Sequence, residues 1–488
     1  MQPEKPSSAT QVWSLGLGII LIMATVLALW SGTARAIPAF ARKYDLPCST
    51  CHVPSAPKLN DFGNLFRDHG YQLGNDQDLP IYEGLTKGYW PVSLRTTVGY
   101  QAASLRSAGD GTPGGPGKTL DSGTVGFTGL DILSFGTLAR NITFGVVFTP
   151  NLGSAGFGTG SDSDLEAAFL QLDDLFHAEY LLNFKVGKSD IDPPFSEHRS
   201  PTLNTPFVIY HYVAGTPYTT SLGNPGLVTV PTTVSSCCPA QAYLNPNDFQ
   251  LGENHPELEL FGIKQTPGGG YLRYSLHGVS NSDLNTGGSG GGQSLNFYGH
   301  VTQSFGGYGV VSGQRIGLFG AYGSVATTPN PSCPGGGCGP IGGGHEPFYR
   351  IGADVSLTAF NQLNLIAAYM HASDSKGLFL SQGVSGAQDA VWDGGFIELD
   401  YNPVQLPEWL FIYRYDLIRN SQQGDPTFAN NFNNVDSHTA MARYNFTLST
   451  RVATTLHAEY NYFKTKGTGA NGGDQVGQTM LIAFDFAL

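Results

Sequence analysis

Cys48, Cys51 and His52 form a C-x-x-C-H cluster inside "DLPCSTCHVPSAPKLNDFGNLFRDHGYQLG", which runs from Asp45 to Gly74. Two thiols at this spacing can form thioethers to a porphyrin, and the imidazole that follows can ligate its iron. The pattern is the attachment site of a c-type haem. The alternative is zinc, for which two thiolates and an imidazole make three ligands. No second cysteine pair lies near enough to complete such a site. The sequence therefore predicts one covalent haem c, with Cys48 and Cys51 as its thioether anchors and His52 as its proximal ligand.

The residues that must position this cluster read as a helix over about Pro57 to His69, with proline in its first turn and Gly70 just past its end. Leu59, Phe62, Leu65 and Phe66 share one arc, which should lie on the haem or its wall. His69 falls on the arc of Phe62 and Phe66 and is the candidate distal ligand. The segment has no methionine: beyond the leader only Met370, Met441 and Met480 occur. The amine of Ile37, Lys58, His277, His457 and Met370 are the other candidates. Two histidines would give a lower potential than a histidine–methionine pair.

The N-terminus has Lys5, an apolar run from Val12 to Trp30 and the small-residue sequence Ala34-Arg35-Ala36. This reads as an export signal over 1–36, cleaved before Ile37; a retained membrane anchor is the alternative. Export suits both haem attachment and cysteine oxidation. Of six cysteines, four lie in Gly/Pro/Ser-rich loops: Cys237, Cys238, Cys333 and Cys338. They are expected to form disulfides, either Cys333 with Cys338 or staples between the two loops.

From about residue 90 the chain changes character. Gly numbers 65, Tyr 23 and Phe 29, while only 13% of residues are charged. Short segments alternate between large apolar and small or polar residues. In "TMLIAFDFAL" Met480, Ile482, Phe484, Phe486 and Leu488 oppose Leu481, Ala483, Asp485 and Ala487. In "GGFIELDY" Ile397, Leu399 and Tyr401 oppose Glu398 and Asp400. Side chains alternate along a strand, so one face suits lipid and the other a wet lumen. Arg273, Arg350, Arg414, Lys185, Asp416, His457 and Glu459 fall on the lumen side of this pattern. Seven short connections, near Ala139, Asp174, Pro267, Gly306, Phe360, Pro403 and Ser449, alternate with eight longer ones. The short ones are expected to be about two to five residues each. The sequence predicts an all-β transmembrane barrel of about sixteen antiparallel strands with both ends on the short-turn, periplasmic side. The domains are then 1–36 leader, 37–89 monohaem segment and 90–488 barrel. The monohaem segment is short for a free-standing core, and a barrel this wide has room inside. A plug in the lumen is the economical arrangement; a periplasmic pendant is the alternative. The net charge of −13 speaks against a nucleic-acid partner. The loop "DPPFSEHRSPTLNTPF" places Asp192, Glu197 and His198 together on the outer side, where carboxylate and imidazole could meet ferrous iron.

The stretch from Ile37 to Leu73 resembles the opening of the fused outer-membrane cytochrome–porins of iron-oxidising bacteria. Ala39 to Arg42 gives A-F-A-R, followed by the cysteine motif, Pro57, Leu59-Asn60, Phe62-Gly63 and Gly70-Tyr71. The resemblance implies transfer of electrons from extracellular Fe(II) through one haem to a periplasmic cytochrome c. Without the resemblance, the residues imply an outer-membrane electron conduit. Other donors or acceptors, and a porin whose haem is a sensor or structural plug, are the competing functions.

Overall fold

In a computed structural model, the described residues are 39–47, 50–52, 57–75, 78–108, 118–150, 164–216, 218, 247, 249–267, 269–280, 295–305, 314–327, 344–360, 362–381, 384–449, 452–468 and 472–487. The leader, Ile37, Cys48, Cys237, Cys238, Cys333 and Cys338 lie outside them.

Sixteen strands close on themselves, each antiparallel to its neighbours in chain order, and the last pairs with the first. They are β1 (Val92–Ala108), β2 (Lys118–Ala139), β3 (Ile142–Thr149), β4 (Asp164–Leu172), β5 (Asn183–Asp190), β6 (Asn254–Gln265), β7 (Tyr271–Ser280) and β8 (Leu295–Ser304), followed by β9 (Arg315–Thr327), β10 (Gly344–Ala359), β11 (Leu363–Asp374), β12 (Ala390–Tyr401), β13 (Trp409–Gln422), β14 (Val435–Ser449), β15 (Val452–Thr465) and β16 (Gln475–Ala487). Closure satisfies every edge, which a strand in hydrocarbon requires. The alternation is the one expected. Along β12, Ile397 and Leu399 are 54% and 40% exposed while Glu398 and Asp400 are 1% and 6%. The outward set faces lipid and the inward set faces a filled lumen.

The connection pattern also has the expected order, but the short side is less uniform. The β4–β5 connection spans 173–182, the β8–β9 connection 305–314 and the β12–β13 connection 402–408. The first carries a short 3-10 turn, Leu175–His177, and Tyr180 of this connection packs on the N-terminal segment.

That segment lies within the barrel at its short-turn end. The backbone N–H of Ala39 donates to Ser93 Oγ of β1 (2.9 Å), and Thr137 Oγ1 of β2 donates to the Leu79 carbonyl (2.9 Å). Lys58 Nζ pairs with Asp400 of β12 and donates to Asn364 Oδ1 of β11 (2.8 Å). Arg273 Nε of β7 donates to Asp68 Oδ2 (3.0 Å). These partners reach from β1 round to β12, so the segment crosses the lumen as a plug.

The long β5–β6 connection enters the lumen from the opposite end. Glu459 of β15 accepts from the Leu203 and Asn204 amides (2.7 and 3.1 Å). Arg414 of β13 donates to the Thr205 and Pro206 carbonyls (2.7 and 2.8 Å) and lies over the Phe207 ring. A short helix, Val208–His211, follows. Phe207, Tyr210, Phe396 and Trp392 pack here in a buried apolar cluster. The expectation that this loop lies on the outer side is corrected. Its fixed partners are inward-facing wall residues, so it folds into the bore.

Candidate functional site

The helix of the N-terminal segment is shorter than its sequence pattern suggests. It spans Asp61–Asp68, capped by Asn60 and ended at His69. Pro57 to Leu59 is instead a turn that brings Leu59 against His52 as an isolated bridge. Asn60 does three jobs. Its Oδ1 accepts from the Gly63 amide (2.8 Å), its Nδ2 donates to the Thr50 carbonyl (3.0 Å), and its own amide donates to the Cys51 carbonyl (2.9 Å). Gly63 lets the helix touch the cysteine motif: a Cβ there would sit 2.1 Å from the Cys51 carbonyl oxygen. Gly70 follows the helix with φ +67°, the left-handed value for which glycine is suited. Phe66 is buried among Phe40, Tyr44 and Tyr71, with ring centroids 5.2, 5.5 and 5.9 Å away. Phe62 is exposed, so only part of the expected arc faces inward.

Between this plug, the wall of β1 to β4 and the β5–β6 loop lies a cavity of about 850 Å³. That is within the roughly 300–1,000 Å³ of small-molecule and cofactor sites. Cys51 and His52 open onto it, with Phe40, Leu59 and Phe66 from the plug and Leu133, Phe135 and Phe169 from the wall. Arg95, Lys185, Arg199 and Arg443 also line it. Each of these cations is paired with a carboxylate, so it is the apolar part of the lining that suits a flat macrocycle.

His52 is held in one tautomer. Its Nδ1 is 3.1 Å from the Pro57 carbonyl oxygen, which accepts only, so Nδ1 carries the proton and Nε2 keeps its lone pair. Such a bond fixes tautomer and ring orientation in metal-ligating histidines. Burial lowers the pKa of His52 and outweighs its backbone hydrogen bonds, favouring the neutral ring a metal needs. The donor set therefore fits a c-type haem through Cys51 and His52.

The other expected ligands are elsewhere. His69 packs on Tyr180 (centroids 4.2 Å apart) and is not among the residues lining the cavity. Lys58 is tied to Asp400. His277 Nδ1 is bonded to Glu257 (2.6 Å) and His457 Nε2 to Glu459 (3.0 Å). Met370 is buried in the apolar core. The expected ferrous-iron loop is also differently employed. Asp192 pairs with Arg273 and with His300 (3.5 Å), and Glu197 pairs with His211. Only His198 of that trio lacks such an ion pair, and it lines the cavity. The sequence lacked any local signal for that placement, because the loop's inward course is set by partners on distant strands. Glu257, Glu259 and His277 lie close enough to share a metal, but Lys185 Nζ already bridges both carboxylates.

The architecture is that of a sixteen-strand, porin-like transmembrane barrel, as its closure and side-chain alternation define it. No family model and no curated protein matches the chain. Solved structures similar to it include the anion-selective porin from Comamonas acidovorans, at 14% identity and TM-score 0.46, covering 81% of this chain and 99% of that one. The outer membrane channel DcaP of Acinetobacter baumannii is 11% identical with TM-score 0.44, covering 80% and 97%. Pseudomonas putida OprB is 11% identical with TM-score 0.42, covering 83% and 96%.

Proposed function

We propose that the chain is an electron conduit of a bacterial outer membrane. One haem c on Cys48, Cys51 and His52 takes electrons from extracellular Fe(II) and passes them to a periplasmic cytochrome c or similar carrier. The observation that carries this reading is His52, oriented by the Pro57 carbonyl toward a cavity inside a closed barrel. The haem, when bound, supplies reversible one-electron chemistry: each Fe(II) oxidised to Fe(III) reduces one ferric haem.

The chain's own residues do the positioning. Asn60 and Gly63 lock the cysteine motif onto the helix, and Asp68 and Lys58 pin the plug to the wall. The described part of the β5–β6 loop packs into the bore beside the cavity. Iron need not bind durably, because outer-sphere transfer forms no bond to the protein. The choice of iron rests on the resemblance of residues 37–73. The assignment of the turn side, with both termini, to the periplasm follows the usual arrangement of such barrels.

The test is purified, detergent-solubilised holoprotein, oxidised and mixed anaerobically with ferrous iron while the haem bands are followed. Covalent haem that is rapidly reduced supports the proposal. Covalent haem that ferrous iron does not reduce at any pH rules out iron as the donor, and absence of covalent haem rules out the conduit.

A further inference from the structure

We infer that His198 is the second axial ligand of the haem, an inference that rests on the haem reading of Cys51 and His52. The usual axial donors are imidazole, thioether, thiolate and phenolate; an amine is a further option. Apart from the cysteine motif, the described residues lining the cavity offer five such groups: His198, His211, Lys185, Tyr44 and Tyr71.

Four of the five are committed. His211 uses both ring nitrogens, Nδ1 to Gln250 (2.8 Å) and Nε2 to Glu197. Lys185 is paired to Glu257 and Glu259. The Tyr44 hydroxyl is held between the Tyr71 carbonyl and Asp78 (2.9 and 2.8 Å). Tyr71 is stacked on Phe40 (4.9 Å), and burial raises its pKa, which disfavours phenolate.

His198 differs in each respect. Its side chain is exposed toward the cavity. Neither ring nitrogen has a hydrogen-bond partner among the described residues. Its backbone is nevertheless fixed, as the middle residue of the Glu197–Arg199 3-10 turn. Glu197 is bound to His211 and the Phe207 amide. Arg199 Nη2 and Ser196 Oγ both donate to Asp190 Oδ2, at 3.2 and 2.6 Å. An uncommitted imidazole on an anchored turn, lining the same cavity as His52, is what a pre-organised ligand requires.

The experiment compares ferric wild-type holoprotein with His198→Ala, His198→Met and His69→Ala by near-infrared magnetic circular dichroism and electron paramagnetic resonance. Covalent haem is quantified by pyridine haemochrome, and barrel folding is checked by heat-modifiable gel mobility. The expected result is a low-spin bis-histidine spectrum for wild type and His69→Ala. His198→Ala becomes high-spin and returns to low-spin with added imidazole. His198→Met shows a methionine–iron charge-transfer band and a raised potential. A bis-histidine spectrum that survives in both His198 variants overturns the inference, as does a wild type that is not bis-histidine. Wild type without covalent haem fails the underlying haem reading instead, and pyridine haemochrome separates that outcome from the others.

Discussion

At the scale of single residues, the cysteine motif depends on two neighbours that carry no redox chemistry. Asn60 satisfies the Gly63 amide of the helix and the carbonyls of Thr50 and Cys51 at once. Loss of an N-cap alone costs about 0.5–2 kcal/mol. Asn60→Ala should therefore lower covalent haem per polypeptide, read by haem-stained against protein-stained gels. Gly63→Ala should do so more severely, because its methyl would meet backbone rather than a flexible side chain. Unchanged haem content in both variants would refute this account of the motif. The motif was legible from sequence because its chemistry is local. The helix start was misplaced by four residues, since Pro57 is a plausible first-turn residue and only the contact with Cys51 shows why Asn60 is the cap. Where His69 and His198 lie was illegible, because His69 packs on Tyr180, distant in the chain, and the loop that carries His198 is drawn inward by partners on β13 and β15.

At the scale of elements, strands and loop follow different rules. Strand identity was readable because lipid and lumen impose a period of two on every strand. Ile351 in β10 is 59% exposed on the lipid side, whereas Arg350 beside it is 6% exposed and bonded to Asp374 (2.8 Å). Ile351→Arg should destabilise the barrel by roughly 2–4 kcal/mol if it lies near the bilayer midplane, seen as a lower unfolding midpoint in heat-modifiability. The conservative Ile351→Val should leave the midpoint nearly unchanged. The β5–β6 loop has no such period, so its inward fold could not be read. It also carries a pH-dependent contact. Burial pulls the His211 pKa down, but the Glu197 carboxylate overcomes this and raises it from 6.5 to about 9. A raised folded-state pKa gives stability that is complete below the unfolded value and lost as pH rises through the folded one. The segment around Phe207 to Tyr212 should therefore loosen as pH climbs through about 9. Hydrogen exchange, corrected for the intrinsic rate at each pH, should show the loss of protection in wild type and not in His211→Gln.

At the scale of the whole molecule, two insertions enter one bore from opposite ends, and each is held by side chains of the wall. The plug's hold is ionic and sits where water is scarce. Arg273 alone faces Asp68, Asp192 and Glu259, and Lys58 faces Asp400. Removing one partner of a buried pair typically costs 3–5 kcal/mol, because the remaining charge is left uncompensated. Arg273→Ala would cut the plug's Asp68 from the wall, while Asp192 keeps His300 and Glu259 keeps Lys185 as partners, and a plug so loosened would let water into the bore. Intact protein in planar bilayers should thus conduct ions weakly, and Arg273→Ala combined with Lys58→Ala should raise the conductance by an order of magnitude or more. The same double variant should expose residues 57–75 to protease added on the turn side, while the strands stay resistant. The control is Lys464→Ala: Lys464 pairs with Asp474 (2.8 Å) at an exposed site and should change neither readout. High conductance of the intact protein, or a double variant that conducts as weakly as wild type, would show that the N-terminal segment is not what closes the bore.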